Sequence, residues 1–198
     1  PAIVSRVRAE HPYLDVEVDE LDTDGARAAL RSGRVELLIG YDFGFGNDIR
    51  TAVLSDAPPH VIVPADHPLA ASQQVFLREL AREPMILLDL PHSREYFLGI
   101  LAGAGLQPEI RHRSLNYETV RAFVAHGHGF SILNQRPQHD LSYDGERVAA
   151  LPIADSVPAL PVVLAAMRSV RATARARAVG DIAAQVVAEA LNPAPSRP

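Results

Sequence analysis

The sequence predicts a doubly wound α/β fold arranged as two lobes, and three observations carry this prediction. Apolar strand patterns alternate with amphipathic helical patterns along most of the chain. Several of the strand patterns are apolar without interruption, which indicates strands that are covered on both faces of a sheet. The 198 residues also show a break near the middle, and such a length fits two small lobes better than one sheet.

The predicted strands differ in how their two faces are covered. The segment LDVEVDEL alternates apolar and acidic residues, so it predicts an edge strand with one face in water. The runs VELLIG and PMILLDL are nearly continuous and predict buried strands. In chain order, the predicted strands cover residues 14–21, 35–40, 51–54, 60–63, 84–90, 108–115, 130–134, 147–153 and 160–167.

Apolar residues at helical spacing predict the elements that lie between these strands. The segment 65–83 is predicted to form a turn and then a helix with Phe76, Leu77 and Leu80 facing inward. Residues 42–48 (DFGFGND) form a predicted glycine-rich loop. The other predicted helices cover residues 2–9, 25–33, 94–105, 116–127 and 172–191.

Composition excludes several classes of function. The chain has no cysteine, so disulfides, thiol nucleophiles and thiolate–metal clusters are excluded. All 19 basic residues are arginine, which also excludes mechanisms that need a lysine. A net charge of −5 argues against nucleic-acid binding by this chain itself. The sequence contains no catalytic motif, no apolar run long enough for a membrane span and no secretory signal at residue 1.

Three strand-to-helix turns are candidate binding elements, because free N–H groups at a helix N-terminus attract anions. Ser93 and Asn116 are predicted N-caps of two of these helices, and the third turn is residues 22–25. Ordinary capping explains each turn taken alone. Two turns from neighbouring strands that face one cleft would instead predict a small anionic or polar ligand, and the nearby Arg94 favours a carboxylate.

The motif His126-Gly127-His128-Gly129 allows three interpretations: a metal site, a phosphate-binding loop, or the end of a helix. A metal would require a third ligand that the sequence does not specify. A phosphate loop would place its glycines before a helix, whereas these glycines follow one. We therefore expect the end of a helix at Gly127 and a start of strand at Gly129. No metal ligand, cofactor or catalytic residue is predicted.

Three segments resemble the effector-binding domain of LysR-type transcriptional regulators. HVIVPADHPLA (60–70) resembles the family's strand followed by P-x-x-H-P-L-A, and LRSGRVELLIG (30–40) resembles L-x-x-G-x-x-D-L-x-I, with Glu36 at the usual aspartate. YETVRAFVAHGHGFSILN (117–134) resembles E-T-V-R-x-x-V-x-x-G-x-G followed by a short strand. The matching residues are Pro64, His67, Pro68, Leu69, Ala70, Glu118, Thr119, Val120, Arg121, Val124, Gly127 and Gly129.

The resemblance implies two Rossmann-like lobes joined by two crossover strands, as in type 2 periplasmic binding proteins. Lobe I would comprise residues 1–62 and 164–191, lobe II residues 63–163, and residues 192–198 a frayed tail. The family's first strand would precede the helix at residue 2, so we expect this strand and a winged helix-turn-helix upstream of the sequence given.

The resemblance also implies a small effector, favoured here as a carboxylate, in the cleft between the lobes. It implies a cytoplasmic homodimer or tetramer that does no catalysis and contacts DNA only through the upstream domain. A solute-binding protein of a transport system is the alternative. Core packing is the alternative role for Tyr41, Phe43 and Phe130. The expected effector contacts are Pro91, His92, Ser93, Asn116, Phe130, Ser131, Tyr41 and Phe43.

Overall fold

The structure, a computed structural model, describes residues 1–137 and 139–191. The chain divides into two compact units. Unit 1 contains the chain up to Ala57 and again from Leu160 onward, and unit 2 contains Pro58–Ala159. The predicted tail at 192–198 lies outside the described residues. Within the described ranges, no helix is both long and apolar enough to cross a membrane.

Unit 1 is a three-stranded sheet with its helices packed around it. The long strand β8 lies in the centre and pairs antiparallel with β1 on one side and β2 on the other. The Asp22 side chain accepts a hydrogen bond from the Gly25 amide at 2.7 Å and thereby caps α2. The elements are α1 (Ala2–Glu10), α2 (Thr23–Arg31), β1 (Leu38–Tyr41), β2 (Ile49–Ala57), β8 (Leu160–Met167) and α5 (Ala174–Leu191).

The prediction of a strand at residues 14–21 was wrong. This segment forms no strand within the described part of the chain, although Leu14 and Val16 are half-buried and Asp15 between them is exposed. The side chain of Val18, which was expected on the buried face, is 70% exposed. An alternating pattern becomes a strand only when a neighbouring strand exchanges backbone hydrogen bonds with it, and among residues 1–137 and 139–191 no strand pairs with this segment.

Unit 2 combines two smaller sheets. In the first, β3 lies between β6 and β7 and pairs antiparallel with both. In the second, β4 and β5 run parallel, as expected of strands joined by a helix. The elements are β3 (His60–Pro64), β4 (Met85–Leu88), α3 (Ser93–Gly103), β5 (Ile110–Ser114), α4 (Tyr117–Ala125), β6 (Ser131–Leu133) and β7 (Val148–Pro152).

The prediction of one α-helix within residues 65–83 was wrong. The structure has two short 3-10 helices there, Pro68–Ala71 and Leu77–Leu80. Between them Val75 forms an isolated parallel bridge with Ile153, which holds the backbone extended and interrupts any longer helix. Leu77 and Leu80 are nevertheless buried, as predicted.

The core of unit 2 lies around β3, β4 and β6, and side chains of α3 and α4 complete it. It also encloses two basic groups. His60 is buried at the start of β3 with its Nε2 unpaired among the described residues, and burial is the main cause that lowers its pKa to about 4. Arg121 is buried on α4 and donates to the carbonyls of His139 and Leu141 at 3.1 and 2.7 Å.

Candidate functional site

Two strand-to-helix turns of unit 2 leave one edge of the parallel sheet. Leu88 pairs with Ser114, and the amide of Asp89 donates to the Ser114 carbonyl at 2.8 Å. The turn before α3 and the turn before α4 therefore start from adjacent positions on neighbouring parallel strands. This is the place where α/β sheets commonly bind ligands, because helix N-termini converge there. The sequence predicted both turns, and their adjacency follows from the strand register.

The turn before α3 holds three of the predicted contact residues. Pro91 is exposed. His92, not Ser93, is the N-cap, and its φ of 67° lies in the left-handed region that residues other than glycine seldom adopt. Ser93 is the first helical residue; it is buried, and its hydroxyl donates to the Leu90 carbonyl at 3.2 Å. The hydroxyl of Ser93 thus braces the turn from inside.

Asp89 closes the same turn with two ion pairs. Its Oδ1 accepts from Nε of Arg94, and its Oδ2 lies 3.4 Å from Nη1 of Arg113 on β5. The carboxylate is 13% exposed, and the two arginine side chains are 47% and 52% exposed. The hydrogen bond from Arg94 is the main cause that lowers the pKa of Asp89, and Arg113 adds to it. Asp89 therefore remains an anion that holds both guanidinium groups at the sheet edge.

The turn before α4 is capped as predicted. Asn116 Oδ1 accepts a hydrogen bond from the amide of Thr119 at 3.0 Å. The next residue, Tyr117, donates its hydroxyl to the Gln135 carbonyl at 2.5 Å, and burial raises its pKa. Tyr96 of α3 donates to the Pro158 carbonyl and accepts from Asn134 Nδ2. Two tyrosine hydroxyls thus fix the chain that follows β6.

Phe130 and Ser131 lie inside unit 2. Phe130 is part of the buried core. Its amide donates to the carbonyl of Pro84, which precedes β4, and its carbonyl accepts from the amide of Ile86 in β4. Ser131 is fully buried, and its hydroxyl has no hydrogen-bond partner among the described residues. Their side chains therefore occupy core positions, with Phe130 in the packing role that was its alternative.

Tyr41 and Phe43 belong to unit 1. Their rings meet edge to face, with centroids 6.3 Å apart, and both residues are half-buried. The following glycine-rich loop is held by α2, where Arg27 donates to the Gly44 carbonyl and Arg31 pairs with Asp48 at 2.7 Å. This loop follows the strand β1 at its carboxyl end.

The His126–Gly129 segment ends a helix, as predicted. Gly127 has a φ of 79°, and the amide of His128 donates to the Phe123 carbonyl, which closes the last turn of α4. Gly129 approaches the backbone closely, because a Cβ there would lie 2.0 Å from the Pro84 carbonyl oxygen. His126 pairs with Asp144 at 2.9 Å. Among the described residues, no group of three or more acidic, histidine or cysteine side chains could hold a metal ion.

Sequence reasoning missed the partnership of Asp89 with Arg113 and the roles of Tyr96 and Tyr117. A signal for the first existed, since an aspartate directly follows a buried strand and an arginine-rich strand comes next. The apolar periodicity of the sequence could not show that β4 and β5 pair with each other, nor in which register. The tyrosines carried no local signal, because their hydroxyl acceptors are at least 18 residues away.

Comparison with known protein families decides what kind of protein carries this site. The model of the LysR substrate binding domain matches residues 1–188. The chain belongs to this family. The resemblance read from the sequence is thereby confirmed, and so is the two-lobed fold class.

Members of the LysR family resemble the chain in sequence and in structure. The C-terminal domain of a probable LysR family regulator from Rhodococcus sp. RHA1 is 35% identical, with a TM-score of 0.87 over 91% of this chain and 89% of that one. A hydrogen peroxide-inducible genes activator of Pectobacterium carotovorum is 28% identical over 67% of this chain. The chain spans only 44% of that activator's length.

A third relative is a structure with a bound small molecule. It is the effector-binding domain of BenM with its effector benzoate, which has a TM-score of 0.79 and covers 98% of this chain and 88% of that one. At 22% identity this neighbour shows the shared fold alone.

Proposed function

We propose that the chain is the effector-sensing part of a LysR-type transcriptional regulator. The observation that carries the proposal is the family match over residues 1–188, together with two helix N-termini at one sheet edge of unit 2. The family relatives are regulators of transcription rather than transport proteins, which favours this function over a solute-binding protein. Such a domain performs no catalysis. It works by binding an effector better in one conformation than in another.

The proposed effector is a small anion, in particular a carboxylate. The support comes from unit 2, where helix N-termini and the half-exposed Arg94 supply positive potential. Benzoate, the effector of BenM, is also a carboxylate, although that protein shares only the fold. The contacts proposed on the turns of unit 2 are Pro91, His92, Ser93 and Asn116. Phe130 and Ser131 are buried in the core of unit 2 and are not proposed as contacts. Tyr41 and Phe43 are proposed as contacts that unit 1 supplies by itself.

The proposed partners are DNA and further copies of the chain. DNA would be bound by an N-terminal winged helix-turn-helix outside the sequence given, since this chain carries a net charge of −5. Homodimers or tetramers would then present two or more DNA-binding heads in the cytoplasm. The sequence encoded upstream discriminates the alternatives: a basic helix-turn-helix supports the regulator, whereas an apolar leader supports a transport protein.

A thermal-shift screen tests the effector class. Small aliphatic and aromatic carboxylates are compared with amines of similar size and with neutral sugars, all at equal ionic strength. We expect a subset of carboxylates to raise the melting temperature, because a ligand that binds only the folded state stabilises it. If only amines or sugars do so, the anionic effector is the wrong class while effector sensing itself stands. A carboxylate that raises the melting temperature is then added to the full-length regulator. A loss or a gain of specific DNA binding would show that effector binding is coupled to DNA binding.

A further inference from the structure

Arg94 and Arg113 share one carboxylate in an arrangement that leaves most of their donors unused. Each guanidinium meets Asp89 through a single nitrogen, Nε of Arg94 and Nη1 of Arg113, and each uses a different carboxylate oxygen. An ion pair that served only stability would gain most from two parallel hydrogen bonds between one arginine and one carboxylate. Neither arginine adopts that geometry here.

The remaining N–H groups are available to a ligand. An arginine side chain has five N–H donors, and no other acceptor for those of Arg94 or Arg113 is found among the described residues. Both side chains are about half exposed, whereas Asp89 is largely covered. Two positive charges thus face outward around one covered negative charge. Glu95 lies close enough to affect Arg94 as well, although its contribution is the smallest of those acting on that group.

The position of Arg94 and Arg113 in unit 2 also favours the binding of a ligand. Arg94 lies in the first turn of α3, and Arg113 lies on β5 directly before the turn into α4. Asp89 links the two across the parallel strands, so both guanidinium groups are held at the sheet edge where the helix N-termini start. Anchoring a long side chain beforehand reduces the entropy that is lost when it binds a ligand.

We propose that Arg94 and Arg113, held together by Asp89, form a two-arginine site that binds the carboxylate group of the effector. This inference rests on the proposed function and deepens it by naming the residues that select an anion. Two guanidinium groups match the two oxygens of a carboxylate, so a primary amide of the same shape, which offers one oxygen and two N–H groups, is discriminated against.

The test measures binding by titration calorimetry with matched pairs of probes, such as benzoate with benzamide and other small carboxylates with their amides. We expect carboxylates to bind and the amides to bind at least about tenfold more weakly. Arg94→Gln and Arg113→Gln are each expected to weaken carboxylate binding at least about tenfold, and Arg113→Lys less, because it keeps the charge but not the planar fork. Arg111→Gln is the matched control on the same strand and should change binding less than about twofold.

Circular dichroism and thermal melting show whether each variant is folded. An NMR titration of the unmodified chain tests the site even if a variant unfolds. In that measurement the Nε–H resonances of Arg94 and Arg113 should shift together as benzoate is added. Carboxylate binding that survives both glutamine substitutions overturns the two-arginine site but leaves effector sensing intact. The two-arginine site is also overturned if only amides or amines bind, or if no probe binds. Of these outcomes, only the absence of binding by every probe also counts against the proposed function.

Discussion

The two units differ in the size of the buried core that each of them holds. In unit 2, β3, β4 and β6 are buried along their whole length, and α3 and α4 pack against them. The largest buried cluster of unit 1 is much smaller and centres on Leu30, Phe45 and Val163. Unit 1 also exposes apolar side chains in segments that were predicted to be strands. Val18 is 70% exposed and Ile39 is 40% exposed.

This difference bears on where a binding site is best placed. A site needs side chains whose positions are fixed by packing beneath them, and the turn before α3 follows the fully buried strand β4, which pairs with β5. The open edge of β1 and the unpaired segment 14–21 give unit 1 less internal support. Unit 1 therefore has more to gain from further chain or a partner that covers these surfaces.

The largest effect is expected at the point where unit 2 is packed most tightly. Gly129→Ala would place a Cβ 2.0 Å from the Pro84 carbonyl oxygen at a φ of 145°, so the backbone that enters β4 or the backbone that enters β6 must move. We expect a loss of at least about 4 kcal/mol in the free energy of unfolding, measured with urea. Gly127→Ala is the control, with open space around its Cβ and a cost of roughly 1–2 kcal/mol for the left-handed φ. Equal costs at the two glycines would contradict the close approach.

A matched pair of isoleucines compares the two cores directly. Ile132 is fully buried on β6 of unit 2, and Ile39 is 40% exposed on β1 of unit 1. Ile132→Ala should cost about 3 kcal/mol, because it removes buried methyl groups and leaves a cavity. Ile39→Ala should cost less than about 1 kcal/mol by the same urea measurement. Similar losses for both would mean that the core of unit 1 is more complete than its exposure indicates.

Acid should weaken unit 2 through His60. Its pKa is about 4 in the folded state, against 6.5 for an exposed histidine, because burial, then Arg136, then Arg121 disfavour the charged form. Between these two values the unfolded chain binds a proton that the folded chain does not, so stability falls as pH falls from 6.5 towards 4. The contribution of His60 to the free energy of unfolding should drop by about 2 kcal/mol between pH 7.5 and pH 5.

The His60→Gln variant isolates this effect. It removes the titrating group, so the fall in stability between pH 7.5 and pH 5 should shrink by about 2 kcal/mol relative to the unmodified chain. His11→Gln serves as the control in unit 1, because His11 is exposed. An unchanged pH dependence in His60→Gln would show that other groups carry the acid sensitivity.

The smallest expected effects are at the helix caps, which the two units share. Asn116→Ala removes the acceptor of the Thr119 amide in unit 2, and Asp22→Ala removes that of the Gly25 amide in unit 1. Each should cost about 1 kcal/mol, because one backbone donor loses its partner. Equal values, read from thermal or urea melts, would locate the difference between the units in their cores rather than in their helices.

The sequence by itself determined the features that depend on near neighbours along the chain. The apolar runs at β4 and β8, the cap at Asn116 and the end of α4 at Gly127 were all predicted, since each reflects contacts within a few residues. The order and spacing of the motifs also pointed to the family.

Tertiary structure decided everything that depends on which strands meet. The pattern at 14–21 is a good strand pattern without a strand, because pairing requires a neighbour that no local rule supplies. The short helices after β3 reflect the bridge of Val75 to Ile153, a contact across the chain. Arg113 reaches Asp89 across 24 residues because β4 and β5 lie side by side in one register, and only the folded chain fixes that register.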